Sequence, residues 1–155
     1  MKKKYYLILI LSLFFITGCE NKEEQSKNEY IAYKNNLLSQ KEYEESLPLE
    51  IVLKLDRQDE EKLTYQVTFQ NPKENMHQIK AMVVNNYNNE NVFPSIGLFD
   101  DKEELVVGDQ NKNKLELEGS METTKNMSKL ELEIKVWIEY IDDNGEKKEV
   151  YYKME

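Results

Sequence analysis

The sequence predicts an all-β fold, an antiparallel β-sandwich of about seven strands. Three observations predict it. Apolar and polar residues alternate at a period of two through Leu47, Leu49, Ile51, Leu53 and Leu55, and again through Leu63, Tyr65, Val67 and Phe69. Turn-forming residues recur often enough to fit about seven strands into about 110 residues. No helical pattern is interleaved between the strands, which argues against a parallel sheet built from strand-helix-strand units.

The chain opens with a leader. Lys2, Lys3 and Lys4 precede an apolar run from Tyr5 to Ile16, and small residues stand before Cys19. This is the layout of a secretory signal. A permanent span needs ~20 apolar residues, and this run is interrupted by Ser12 and ends in Thr17-Gly18-Cys19. Residues 1–18 are therefore expected to be removed. Ile16-Thr17-Gly18-Cys19 resembles the bacterial lipobox, although Leu is commoner than Ile at its first position and Ala or Ser commoner than Thr at its second. The resemblance implies a diacylglyceryl group on Cys19 and cleavage before it. Two acyl chains, at ~0.8 kcal/mol per buried CH₂, suffice for stable anchoring.

Residues 19–46 read as a charged tether. Glu, Lys, Asn, Gln and Ser dominate the segment, too polar a mixture to bury a core of its own. Ser26-Lys27-Asn28-Glu29 has capping-box spacing, and Tyr30, Tyr33, Leu37 and Leu38 follow at helical intervals, so a helix is expected from about Lys27 to Glu44. Its narrow apolar stripe suits a partly helical spacer. The domain proper is expected over 47–155.

Asp56 to Lys62 joins the first two strands, and Asn71-Pro72-Lys73-Glu74 is turn chemistry before a third through Ile79, Ala81 and Val83. Another loop is expected at Asn85 to Asn91. Val92 to Phe99 carries Pro94 and Gly97 and should be an irregular strand with a bulge or a crossover. Short strands follow near Glu104–Val107 and Leu115–Glu118, then the longest, Leu130–Ile141, and its partner, Lys147–Met154.

The register of that last hairpin is fixed by its own side chains. A two-residue Asn144-Gly145 loop would put the two apolar stripes on opposite faces. A three-residue loop, Asp143-Asn144-Gly145, pairs Ile138 with Val150, Val136 with Tyr152 and Ile134 with Met154, so the stripes coincide. Gly145 is then expected in the left-handed region as a G1 bulge.

The arrangement from Leu47 to Glu155 resembles the immunoglobulin or fibronectin type III class, without the paired cysteines of antibody domains. An architectural resemblance carries no function.

Charge and composition narrow the function. Three of the 21 basic residues lie in the leader, so the exported chain carries 18 against 30 acidic residues, a net charge near −12. Such a surface repels phosphate, so nucleic acid and anionic headgroups are not expected partners and a basic or neutral partner is favoured. Cys19 is the single cysteine, which leaves no disulfide to staple the domain. The abundance of Lys, Asn, Glu and Ile fits an AT-rich Gram-positive genome.

Catalytic groupings are sparse. His77 is the single histidine, and its strand phase with Ile79, Ala81 and Val83 places it near the end of an inward face. No serine sits in a nucleophile motif, and no phosphate loop or metal-type His/Cys spacing occurs. Two carboxylate clusters, Asp100, Asp101, Glu103 and Glu104, and Asp142, Asp143 and Glu146, have the oxygen ligands that Ca²⁺ takes. Both read first as turn chemistry. No catalytic residue, metal or cofactor is expected.

The binding candidates are aromatic. In the hairpin register Trp137 lies opposite Tyr151 on the face away from the core, where an exposed pair would anchor a partner. The reading that the N-terminal helix, a long loop or flanking lysines cover Trp137 takes precedence. Phe93 and Phe99, in Phe93-Pro94-Ser95-Ile96-Gly97-Leu98-Phe99, read first as buried strand and second as a shaped binding loop. This run and Asn71-Pro72-Lys73-Glu74-Asn75-Met76 resemble stretches of small lipoproteins of Gram-positive bacteria. Some of those travel on conjugative elements and exclude redundant transfer, which implies protein binding. The expectation is a non-enzymatic binding module, lipid-anchored on the extracytoplasmic face of the cell membrane, with an envelope protein as partner. The alternatives are an exclusion-type lipoprotein and a carboxylate-based hydrolase of wall polymers.

Overall fold

The computed structural model describes residues 22–87 and 92–154, with the side chain of Ser128 outside the description. The leader and Cys19 lie outside the described residues. Among those described, one helix and eight strands form: α1 (Lys22–Ser39), β1 (Glu50–Arg57), β2 (Lys62–Gln70), β3 (Met76–Asn85), β4 (Ser95–Ile96), β5 (Glu103–Leu105), β6 (Lys114–Glu122), β7 (Ile134–Ile141) and β8 (Lys147–Met154). A 3₁₀ turn, Met127–Lys129, precedes β7. The strands make two antiparallel sheets, one ordered β1-β2-β6, the other β4-β3-β7-β8 with β5 also on β3.

Period-two alternation builds the smaller sheet. Leu63, Tyr65, Val67 and Phe69 of β2 face inward beside Leu55, Leu53 and Ile51 of β1 and Met121, Leu117 and Leu115 of β6. They meet Ile79, Ala81 and Val83 of β3, Ile134, Val136, Ile138 and Tyr140 of β7, and Val150 of β8 in one core, which makes the fold sandwich-like. Gly119 pairs with Tyr65, and a Cβ there would overlap the tyrosine ring.

The last hairpin has the predicted register. Ile138 pairs with Val150, Val136 with Tyr152 and Ile134 with Met154, and Gly145 has φ +80°. Asp142 organises the turn: its Oδ1 accepts the amides of Asn144 and Glu146, each at 2.9 Å. Four predictions need correction. β7 starts at Ile134 because the preceding residues form the 3₁₀ turn and a non-strand connection, which leaves β3, ten residues, as the longest strand. β6 extends to nine residues because every one of them finds a partner on β2. The helix begins before the expected capping box, with Glu23 and Glu24 in a first turn whose free N–H groups favour acidic side chains, and it ends at Ser39. The fourth concerns β3.

Residues Gln78 and Ile79 of β3 stand together opposite Tyr140 of β7, between the pairs His77–Ile141 and Lys80–Glu139. This is a bulge, with Gln78 at φ +51°. One extra residue reverses the side-chain phase, so Met76 and Ile79 both point inward and His77 turns out. The expected inward His77 is therefore corrected. β4 pairs with Ala81 and Met82 just past the bulge, and the next residue, Gly97 (φ +70°), lies so close to Ile79 that an added Cβ would overlap the Ile79 carbonyl.

Two of the three described left-handed glycines, Gly97 and Gly145, make a paired test. Gly145 has open space around it, so Gly145→Ala should cost about 1–2 kcal/mol, the ordinary penalty for a left-handed alanine. Gly97→Ala adds a backbone collision and should cost clearly more. Urea midpoints of the two variants check this, and equal losses would contradict the close approach of β4 to β3.

Candidate functional site

The outer face of the larger sheet carries the sequence-predicted aromatic pair. Met82, Trp137 and Tyr151 lie side by side across β3, β7 and β8. Helix α1 covers this row. Tyr30 and Leu37, seven positions apart and so on one helix face, are buried with Met82, Val84, Phe93, Leu98 and Trp137 in a second apolar cluster. Tyr33, between them, stacks on Trp137 with ring centroids 3.8 Å apart and planes 25° from parallel.

Trp137 is thus 1% exposed: of its two readings, cover by the N-terminal helix holds and the exposed interface anchor is corrected. Among the described residues no group accepts a hydrogen bond from its indole N–H. Tyr151 is half-buried, and its hydroxyl accepts a bond from Asn36 of α1 at 2.8 Å. Phe93 is buried and locked to the helix: its amide donates to the Tyr30 hydroxyl at 2.5 Å, and its carbonyl accepts from that hydroxyl at 3.2 Å. Phe99 alone of the four candidates is exposed, at 56%, with its ring 5.4 Å from that of Tyr30. The segment read as a spacer is consequently the third layer of the fold.

Polar contacts close both ends of this layer. Lys135 donates to the carbonyls of Leu38 (2.9 Å) and Gln40 (3.4 Å), supplying the cation that the last turn of α1 lacks. Toward the other end, Lys80 pairs with Glu29 of α1 and lies 4.0 Å from Glu139, which Lys147 also contacts at 2.7 Å. The Tyr33 hydroxyl donates to Glu139 at 3.0 Å. Burial, and then the Glu139 charge, push the Tyr33 phenol well above its usual range, so it remains a neutral donor at any physiological pH. This network is a lock, with each charge matched.

A second cluster was missed by sequence reasoning because the bulge creates it. His77 Nε2 lies 2.9 Å from Asp143 and Nδ1 3.3 Å from Glu104, so the imidazole bridges the β7–β8 turn and β5. Lys112 pairs with Glu104, and Asn75 donates to Asp143 at 3.0 Å. The hydrogen bond to Asp143, then that to Glu104, raise the His77 pKa above its ordinary value. Gln78 in the left-handed region was the missing signal, and no sequence pattern announces it. Of the carboxylates weighed as Ca²⁺ ligands, Asp142 is engaged in its turn and with Lys148 at 3.1 Å, Asp100 by the Gly97 amide at 2.7 Å, and Asp143 and Glu104 by His77. Among the described residues no group of three or more acidic, His or Cys side chains is placed to hold a metal ion, and no helix is long and apolar enough to cross a membrane. A comparison with known proteins finds no matching family and no matching curated protein.

Two outcomes follow from this geometry. Leu37→Ala opens a void beneath α1 and should destabilise the protein by about 2–5 kcal/mol. A urea midpoint shift equivalent to less than about 1 kcal/mol would mean that the helix adds little to stability. The His77 bridge should stabilise the fold in its protonated form, when both ring nitrogens donate. Its contribution is full below the unfolded histidine pKa, about 6.5, and is lost as pH rises through the higher folded value. The melting-temperature gap between wild type and His77→Gln should therefore be larger at pH 5.5 than at pH 9. A gap independent of pH would exclude the protonated bridge.

Proposed function

We propose that this chain is a lipid-anchored, non-enzymatic binding module on the extracytoplasmic face of the cell membrane, with an immunoglobulin-like sandwich as its folded part. The observation that carries the reading is Cys19, placed at the end of a basic and apolar leader and three positions before the first residue of α1. Strand order supports the immunoglobulin-like class. In constant-type domains strands A, B, E and D face C, F and G. Here β1, β2 and β6 occupy the places of A, B and E, β3, β7 and β8 those of C, F and G, and β4 lies outside β3.

The electrostatics favour binding over catalysis. Among the described residues each carboxylate with a shifted pKa, Glu23, Asp59, Glu74, Glu104 and Asp142, is held below its usual range by hydrogen bonds from lysines, backbone amides, Tyr140 or His77. A glycosidase acid needs the opposite shift. The acidic surface, near −12 for the exported chain, suits a basic or neutral envelope protein and disfavours nucleic acid.

The test is made on the full chain expressed in a Gram-positive host. The mature protein is expected in the detergent-rich phase on Triton X-114 partition, with an intact mass that starts at Cys19 and includes a diacylglyceryl group. Cys19→Ser is expected in the aqueous phase, or still carrying its leader. Cross-linking of the anchored wild type in intact cells should then give a discrete heteromeric product. An unmodified Cys19 would overturn the anchor, and cross-linking that yields the monomer alone would overturn the protein-binding role.

A further inference from the structure

The direction of α1 is fixed by its contacts. Glu29 is joined through Lys80 to the level of Glu139, Tyr33 stacks on Trp137, and the Leu38 carbonyl binds Lys135. The helix therefore runs antiparallel to β7. Its first residues, 22–28, extend about 10 Å beyond Glu29 at 1.5 Å per residue, toward the end of the sandwich that carries the β7–β8 turn, the His77 bridge and β5. From Cys19 to Lys22 the chain reaches at most about 10 Å when fully extended.

We infer that the protein docks flat against the bilayer through this end of the sandwich, with Phe99 and Val107 as its apolar contacts. The inference rests on the proposed lipidation of Cys19. It goes beyond that reading by replacing a tethered module with one whose orientation is set. Two exposed hydrophobic side chains lie at this end. Phe99, 56% exposed, packs beside Tyr30 on α1, and Val107, 51% exposed, is placed by its amide bond to Asn75 beside the β7–β8 turn. An amphipathic surface held within ~10 Å of a bilayer by two acyl chains partitions into the interface without a large affinity of its own.

Charge is compatible with a neutral headgroup layer. A chain this acidic is repelled by an anionic surface. At this end, however, Asp143 faces His77, Glu104 pairs with Lys112, Glu74 with Lys148 and Glu139 with Lys147. Among the described residues at this end Glu24, Asp100, Asp101, Glu103, Asp109 and Glu146 have no ion-pair partner, so zwitterionic phosphatidylcholine is the appropriate bilayer.

The experiment uses the lipidated full chain in phosphatidylcholine vesicles that contain a trace of rhodamine-labelled lipid. A maleimide donor is placed at Asn144→Cys in the β7–β8 turn or at Asn126→Cys beyond the opposite end of β7; both sites are exposed, and the lipidated Cys19 does not react. Energy transfer to the bilayer should be several-fold greater from position 144 than from 126. Phe99→Trp should add a fluorescence component quenched by brominated phosphatidylcholine, against the constant background of Trp137 beneath α1. Equal or reversed transfer, or no added quenching, from protein that is in the vesicles overturns the docking while leaving the anchor intact. Protein that stays out of the vesicles, with two reactive thiols, overturns the anchor and the docking together.

Discussion

Strand β7 is buried on both faces, with Ile134, Val136, Ile138 and Tyr140 toward the smaller sheet and Trp137, flanked by Lys135 and Glu139, away from it. A strand of that kind has to be covered twice, and a two-sheet sandwich covers it once. The second cover is α1, a helix with few apolar residues, which could not hold a structure alone. Tyr30, Tyr33 and Leu37 form a narrow stripe that fits the row of Met82, Trp137 and Tyr151, and the third layer follows from that fit. The charged residues beside it act as a collar. Lys80 and Glu139 have little access to water and would be costly to leave unmatched, and Glu29 and the Tyr33 hydroxyl supply partners from α1 while the exposed Lys147 closes the network from outside.

The bulge at Gln78 is the second feature on which local geometry depends. By adding one residue to β3 it turns Met76 into the core and His77 out of it, and it opens the backbone approach that Gly97 uses. The hairpin turn, β5 and β3 are then joined by a single imidazole between two carboxylates. Bulges of this kind re-aim side chains without disturbing the rest of a ladder. Here the ladder from Lys80 to Asn85 continues in regular pairing with β7.

These features bear on the proposed anchoring at Cys19. A flexible spacer would let the domain sample all orientations. A helix fixed along β7, starting three positions after the proposed lipidation site, would transmit the position of its first turn to the whole sandwich. The order of contacts from Glu29 to Leu38 matters more for this than any single contact energy.

The sequence by itself determined the elements that depend on local periodicity. Alternation placed β1, β2 and the later part of β3, and coincidence of the apolar stripes determined the three-residue turn at Gly145, because a one-residue slip would have exposed one of them. Tertiary structure alone decided the orientation of His77, and it chose between the readings that the sequence left open for Trp137 and Phe93. Each depends on residues far apart in the chain: a bulge defined only against Tyr140 of β7, and contacts of Tyr33 with Trp137 and of Tyr30 with Phe93. Periodicity shows that a face is apolar. What covers that face is set by the free energy of long-range packing, which is not written in the spacing of neighbouring residues.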